Sequence, residues 1–143
     1  MRSKVLLAAV AAVMMSACSS SGPGSPSPDT STQASPATRP SSTAALTIVS
    51  PAAAETVTGT TVHVQLQLEG AKITTVVSTN LKPDEGHVHL RLDGRTITLL
   101  GTLEQDIPDV TPGPHLLEAE FVASDHGPFD PRVVSSVTFT VAA

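Results

Sequence analysis

The chain has 143 residues, a formal charge of −5 and only three aromatic residues, all phenylalanine. An acidic balance excludes nucleic acid as a partner and excludes adhesion to anionic lipid by charge. The single cysteine excludes an internal disulfide, and the absence of Trp and Tyr argues against a platform on which sugars or bases stack.

The first segment, 1–17, has two cations (Arg2, Lys4), an apolar run from Val5 to Met15, and the small residues Ser16 and Ala17 before Cys18. A charged start, a short apolar stretch and small residues at a cleavage point are the pattern of a secretory signal. The apolar run falls short of the roughly 20 residues that a membrane-spanning helix needs. Met15-Ser16-Ala17-Cys18 resembles the bacterial lipobox, with Met where Leu is usual. The resemblance implies cleavage before Cys18, a diacylglyceryl thioether on its sulfur and fatty acylation (palmitate or similar) of the new amino terminus. Two or three acyl chains anchor a protein stably where one does not. The expected location is the cell membrane, on its extracytoplasmic face. Losing Arg2 and Lys4 takes the formal charge to about −7.

Residues 18–44 form the next unit, the acylated Cys18 followed by a Ser/Pro/Thr-rich stretch almost without bulky apolar side chains. Such a segment cannot bury enough surface to offset its ordering entropy. Its five prolines favour extended conformations, so it reads as a tether spanning roughly 25–30 Å as a coil and about 75 Å when extended.

From residue 45 the pattern alternates with period two, the mark of half-buried strands. Leu46 and Ile48 alternate with Thr47. Val62, Val64, Leu66 and Leu68 alternate with His63, Gln65 and Gln67. Val88, Leu90 and Leu92 alternate with His87, His89 and Arg91. Asp93-Gly94 is a two-residue hairpin signal that returns the chain through Arg95–Leu100. Leu117, Ala119, Phe121 and Ala123 share one parity, and Val137, Phe139 and Val141 close the chain. With no amphipathic helix visible, residues 45–143 are expected to form one Greek-key β-sandwich of about seven strands.

Several runs carry a likeness beyond periodicity. Ile48-Val49-Ser50-Pro51 with Thr56-Val57, Leu90-Arg91-Leu92-Asp93-Gly94, and Thr111-Pro112-Gly113-Pro114-His115-Leu116-Leu117 resemble the immunoglobulin-like domains of bacterial surface and secreted proteins. With Gly86-His87-Val88-His89, the domain is most similar to small exported domains of unknown function. The resemblance implies an immunoglobulin-like, all-β fold and a non-catalytic binding or structural role in the cell envelope, with an envelope protein or cell-wall component as partner. A weaker similarity joins Ser124-Asp125-His126-Gly127-Pro128 to the copper-resistance C family, with Gly and His exchanged. That family's amino-terminal histidine has no counterpart beside an acylated Cys18.

All five histidines fall within 45–143. His87 and His89 stand two apart on one strand, so both project from one face with backbones about 7 Å apart. Neutral imidazole suits copper and zinc alike. A pair is incomplete, because zinc sites take three or four protein ligands. The candidates to complete it are His63, Asp125, His126, and Asp84 or Glu85. Two readings stay open: a transition-metal site for copper or zinc, or a polar outer face with two imidazoles facing solvent. His115 shares parity with Leu117 and Phe121, where immunoglobulin-like folds place a corner tyrosine whose tip bonds a turn backbone. It is expected to be structural. Arg91 and Arg95 are expected in solvent or paired with Glu118 or Glu120. Ser124-Asp125-His126 holds triad residue types on a single turn, whereas triads are assembled in space from separate segments. His87-Val88-His89 is similar to the copper ligands of copper/zinc superoxide dismutase, but the remaining ligands and the disulfide are missing. No complete catalytic constellation is present, and the chain is not expected to be an enzyme.

Overall fold

The computed structural model describes residues 38–143, apart from the side chains of 98–100. The expected signal segment, Cys18 and the tether through residue 37 lie outside the described residues. Every regular element described is a strand: β1 (Ala45–Ser50), β2 (Thr56–Val57), β3 (Val62–Glu69), β4 (Lys72–Ile73), β5 (Glu85–Leu92), β6 (Arg95–Leu100), β7 (Glu104–Ile107), β8 (Gly113–Ala123) and β9 (Pro128–Val141).

Two sheets face one another. The smaller has the order β1-β3-β7; the larger runs β2-β9-β8-β5-β4, with β6 also pairing β5. The first two strands are divided between them. β1 pairs antiparallel with β3, and after Pro51 the chain crosses so that β2 pairs parallel with β9. This order, antiparallel apart from the two-residue strands β2 and β4 and with the first two strands on different sheets, is an immunoglobulin-like Greek-key sandwich. Nine strands are observed among the described residues, where periodicity indicates about seven. β2 and β4 are two residues each, too short to alternate, and Glu104-Gln105-Asp106-Ile107 is too polar to read as a strand.

The core lies where the alternation directs it. Leu46, Ile48, Val62, Val64, Leu66 and Ile107 of the smaller sheet pack against Val88, Leu90, Leu117, Phe121, Phe139 and Val141 of the larger. Burying each such side chain contributes roughly 1.5–3 kcal/mol, which must hold the fold without a disulfide. Asp93 and Gly94 take φ values of 51° and 77°, as a two-residue hairpin between β5 and β6 requires.

The sandwich begins earlier than the composition indicates. Ser42 Oγ donates to the Pro83 carbonyl at 2.7 Å, Thr43 Oγ1 donates to that of Gly70 at 2.7 Å, and Asp130 N–H donates to that of Pro40 at 2.9 Å. Residues 39–44, placed with the tether by their Ser/Pro/Thr content, are thus a strap bonded to the domain. Composition reports the lack of apolar side chains and is blind to a backbone that bonds neighbouring loops.

Candidate metal centre

β5 is an interior strand of the larger sheet, and its alternation sends Val88, Leu90 and Leu92 into the core. His87, His89 and Arg91 therefore occupy the opposite face, across from Val122, Glu120 and Glu118 of β8. The strand approaches β8 closely at its start. A Cβ on Gly86 would run into the Val122 carbonyl and meet Phe121 Cζ at 3.0 Å, so only glycine allows this spacing beside His87.

The third histidine arrives from the hairpin joining β8 to β9. His126 N–H donates to the Ala123 carbonyl at 2.9 Å, and Ala123 N–H donates to that of Gly127 at 3.0 Å. Ser124, Asp125 and His126 are then a three-residue loop whose last residue lies in the left-handed region, with His126 at φ 65°. Glycine is the residue that adopts this conformation without penalty. A histidine held there instead, with a glycine next to it, carries about 1 kcal/mol of strain, and such outliers cluster at functional sites.

This turn brings His126 onto His87 and His89. One ring nitrogen from each of the three lies within 4.8 Å of the other two. His87 Nε2 and His126 Nδ1 are 2.8 Å apart and share a hydrogen bond. The ring centroids are separated by 4.2 Å for His87–His126, 5.4 Å for His87–His89 and 5.8 Å for His89–His126. His89 Nε2 is buried with no hydrogen-bond partner, a costly state that a bound ligand would relieve. His87 is buried rather than solvent-facing, because the hairpin folds over the end of the sheet. Burial, reinforced by His126 and His89, pushes the His87 imidazolium down to about pKa 4. Burial and His126 also lower that of His89. Both rings are therefore neutral at neutral pH, the form that ligates metals.

The nearby carboxylates are already occupied. Asp125 accepts from Arg39 Nη1 and Nη2 at 2.6 and 2.9 Å, and the guanidinium holds its carboxyl down to about 2. Glu120, buried behind His89, accepts from Arg132 Nε and Nη2 at 2.7 and 2.6 Å and from Arg91 Nη2 at 3.2 Å. A shallow pocket of about 240 Å³, lined by His89, His126, Glu120, Arg91 and Arg132 among others, opens beside the cluster.

Of the candidates named from sequence, the fold gathers His87, His89 and His126. His63 stands on β3 in the smaller sheet, bonded through Nδ1 to Asp106 at 2.7 Å. Asp125 adjoins His126, but its oxygens go to Arg39. Glu85 is held by Lys72 and Lys82, each at 2.9 Å. Arg91 reaches Glu120, one of the two partners expected for it. His115 is structural as anticipated: Nε2 donates to the carbonyl of Thr111 at 2.7 Å, four residues upstream, and Nδ1 lies 2.8 Å from Asp93 Oδ2. Sequence reasoning did not find Arg39, which no motif marks, or the part played by Gly86.

The arrangement offers three imidazole nitrogen donors and no thiolate. Three protein ligands with a fourth position left for water or an exogenous group is a common zinc geometry, and imidazole serves copper equally.

No family model and no curated protein matches this sequence. Among solved structures, it is similar to the fibronectin(III)-like modules of Clostridium thermocellum CbhA, at 20% identity over 68% of this chain and 94% of that one, with a TM-score of 0.49. It is also similar to the PKD domain of human KIAA0319, at 12% identity over 76% of this chain and 88% of that one, with a TM-score of 0.43.

Proposed function

We propose that this protein is a membrane-anchored extracytoplasmic module that binds a transition-metal ion, copper or zinc, through His87, His89 and His126, without catalysis. The observation that carries the reading is the convergence of three ring nitrogens within 4.8 Å from two separate segments. A strained His126 and an unpartnered, buried His89 Nε2 support it, since both carry a cost that a ligand would offset. The anchor reading rests on Cys18 and the lipobox resemblance around it.

The test is a calorimetric titration of the full-length chain in detergent with Cu²⁺ and with Zn²⁺, beside His87→Ala/His89→Ala. One-to-one binding at roughly micromolar affinity or tighter, lost in the double variant, is the expected result. Binding that ignores the substitution overturns the reading. Intact-mass measurement of the membrane-extracted protein tests the anchor: loss of 1–17 together with added acyl mass on Cys18 is expected, and a free Cys18 thiol rejects it.

A second reading is a module that docks an envelope protein or cell-wall component. It is favoured by Val76 and Val77, adjacent and each 67% exposed in the stretch after β4. Metal-independent capture of such a partner, abolished by Val76→Ser/Val77→Ser, would support it.

A further inference from the structure

His126 depends for its position on a turn, and turns on a sheet surface open more readily than strands. What holds this turn comes from outside the hairpin. Arg39 belongs to the strap that precedes β1, 86 positions before Asp125 in sequence. Its guanidinium grips Asp125 in a two-pronged pair at 2.6 and 2.9 Å, and its Nε donates to the Pro128 carbonyl at 2.7 Å. Those contacts lie on either side of His126. Asp125 Oδ1 also accepts the Gly127 N–H at 3.0 Å, which closes the loop upon itself.

Gly127 supplies an independent sign of how tight this fit is. A Cβ there would lie 2.5–2.8 Å from the Nη2, Cζ and Nη1 atoms of Arg39, so the guanidinium rests directly on the glycine backbone. Neither side of the ion pair is well solvated, with 27% of the Arg39 side chain and 26% of that of Asp125 exposed. A two-pronged arginine–carboxylate pair fixes orientation as well as distance, which a single-point ammonium cannot.

We infer that Arg39 is a positioning residue for the metal centre: it clamps the β8–β9 turn and so holds His126 against His87 and His89. The inference rests on the metal-binding reading above. It makes affinity depend on the strap that leads toward the expected membrane anchor, so displacing the strap would release one of three ligands. Disturbing partners that orient metal ligands costs roughly 10–100-fold in affinity, and this clamp falls in that range.

The experiment uses the full-length chain and Cu²⁺, with affinity measured by chelator competition and coordinated nitrogens counted from the electron paramagnetic resonance spectrum. Wild type is compared with Arg39→Ala, Arg39→Lys, Gly127→Ala and His126→Gly. The expected result is a loss of roughly 10–100-fold in Arg39→Ala, with its spectrum moving from three nitrogens toward the two-nitrogen pattern of His126→Gly. Arg39→Lys should recover part of the affinity, since it keeps one charged contact. Gly127→Ala should weaken binding in the same direction while leaving every charge in place. A wild-type chain that binds no Cu²⁺ overturns the metal reading and this inference with it. A wild type with three nitrogens beside an Arg39→Ala variant of equal affinity and spectrum overturns the inference alone. So does a variant that loses thermal stability but keeps both.

Discussion

His87 Nε2 and His126 Nδ1 stand 2.8 Å apart, a hydrogen bond between side chains 39 positions apart in sequence. One of the two nitrogens carries the shared proton and the other accepts it. Two nitrogens on a tetrahedral metal with bonds near 2.0–2.1 Å lie about 3.3 Å apart. Ligation thus requires a separation of about half an ångström, and a shift of the shared proton to the opposite nitrogen of its ring. For this pair of nitrogens, the observed separation is within about half an ångström of the one that tetrahedral ligation would need.

His126→Gly separates the ligand from the turn. Glycine adopts the φ of 65° without the strain of about 1 kcal/mol that histidine bears there. The lost hydrogen bond to His87 costs about 0.5–1.5 kcal/mol, so the two effects nearly cancel. Urea denaturation should place the variant within about 1 kcal/mol of wild type. Its Cu²⁺ affinity should fall by more than about tenfold, because a ligand and not merely an orienting partner is gone. An unchanged affinity would remove His126 from the site.

The fold was largely legible in the sequence and the site only half so, for a physical reason. Alternation over Val62–Leu68 and Val88–Leu92 reports which face a side chain takes, and the core follows that parity. Parity cannot report which sheet a strand joins. His63 and His89 both point outward from their strands, yet they stand on different sheets, and only His89 meets another imidazole. His126 belongs to no alternation at all. Its place depends on one left-handed residue, a glycine and an arginine from the far end of the domain, none of which leaves a periodic trace.

Glu120 is the most buried carboxylate around the site, with 5% of its side chain exposed and two arginines upon it. The hydrogen bonds from Arg132 hold its carboxyl below the ordinary range. Its pairing therefore stabilises the protein fully above the unfolded-state value near 4.3 and is lost as pH falls through the lower folded value. Removing one partner of a fully buried pair costs about 3–5 kcal/mol. Arg132 and Arg91 keep 53% and 32% of their side chains exposed, so water can solvate what remains. Glu120→Gln should cost about 1–3 kcal/mol at pH 7 in urea denaturation and flatten the loss of stability below pH 4. A variant as stable as wild type at pH 7 would show the cluster to be inert.

His115 gives a pH dependence of the opposite sign. Its two ring nitrogens face acceptors only, Asp93 Oδ2 at 2.8 Å and the Thr111 carbonyl at 2.7 Å, so both bonds form only when both nitrogens are protonated. Asp93 chiefly, then Thr111, raises the pKa of the imidazolium. A raised folded value means that the stabilisation is complete below the unfolded value near 6.5 and disappears as pH rises through the folded one. His87 and His89, with lowered pKa values, add the opposite trend near pH 6.5, so the test is the difference between wild type and His115→Gln in urea denaturation from pH 6 to 9. The advantage of wild type should be largest at pH 6, roughly 1.5–3 kcal/mol for a hydrogen bond to a charged group, and should shrink as pH rises. A difference that grows over the same window would contradict the assignment.

Gly86→Ala affects stability and the site together, because this glycine sets both the β5–β8 spacing and the place of His87. An added Cβ meets the backbone carbonyl of Val122, which cannot yield like a flexible side chain, and Phe121 Cζ at 3.0 Å. β5 must move away from β8 at its first residues. Overpacking of this kind costs about 1–3 kcal/mol, and the backbone clash puts this variant at the upper end. The same movement carries His87 away from its place opposite Val122 and from His126. Stability and Cu²⁺ affinity should therefore fall together in Gly86→Ala, whereas His126→Gly loses affinity at nearly constant stability. Denaturation and chelator competition on both variants separate the two patterns. If Gly86→Ala lost stability but bound Cu²⁺ as wild type does, the position of His87 would not be governed by the strand spacing, and the turn bearing His126 would have to follow β5 as it moved.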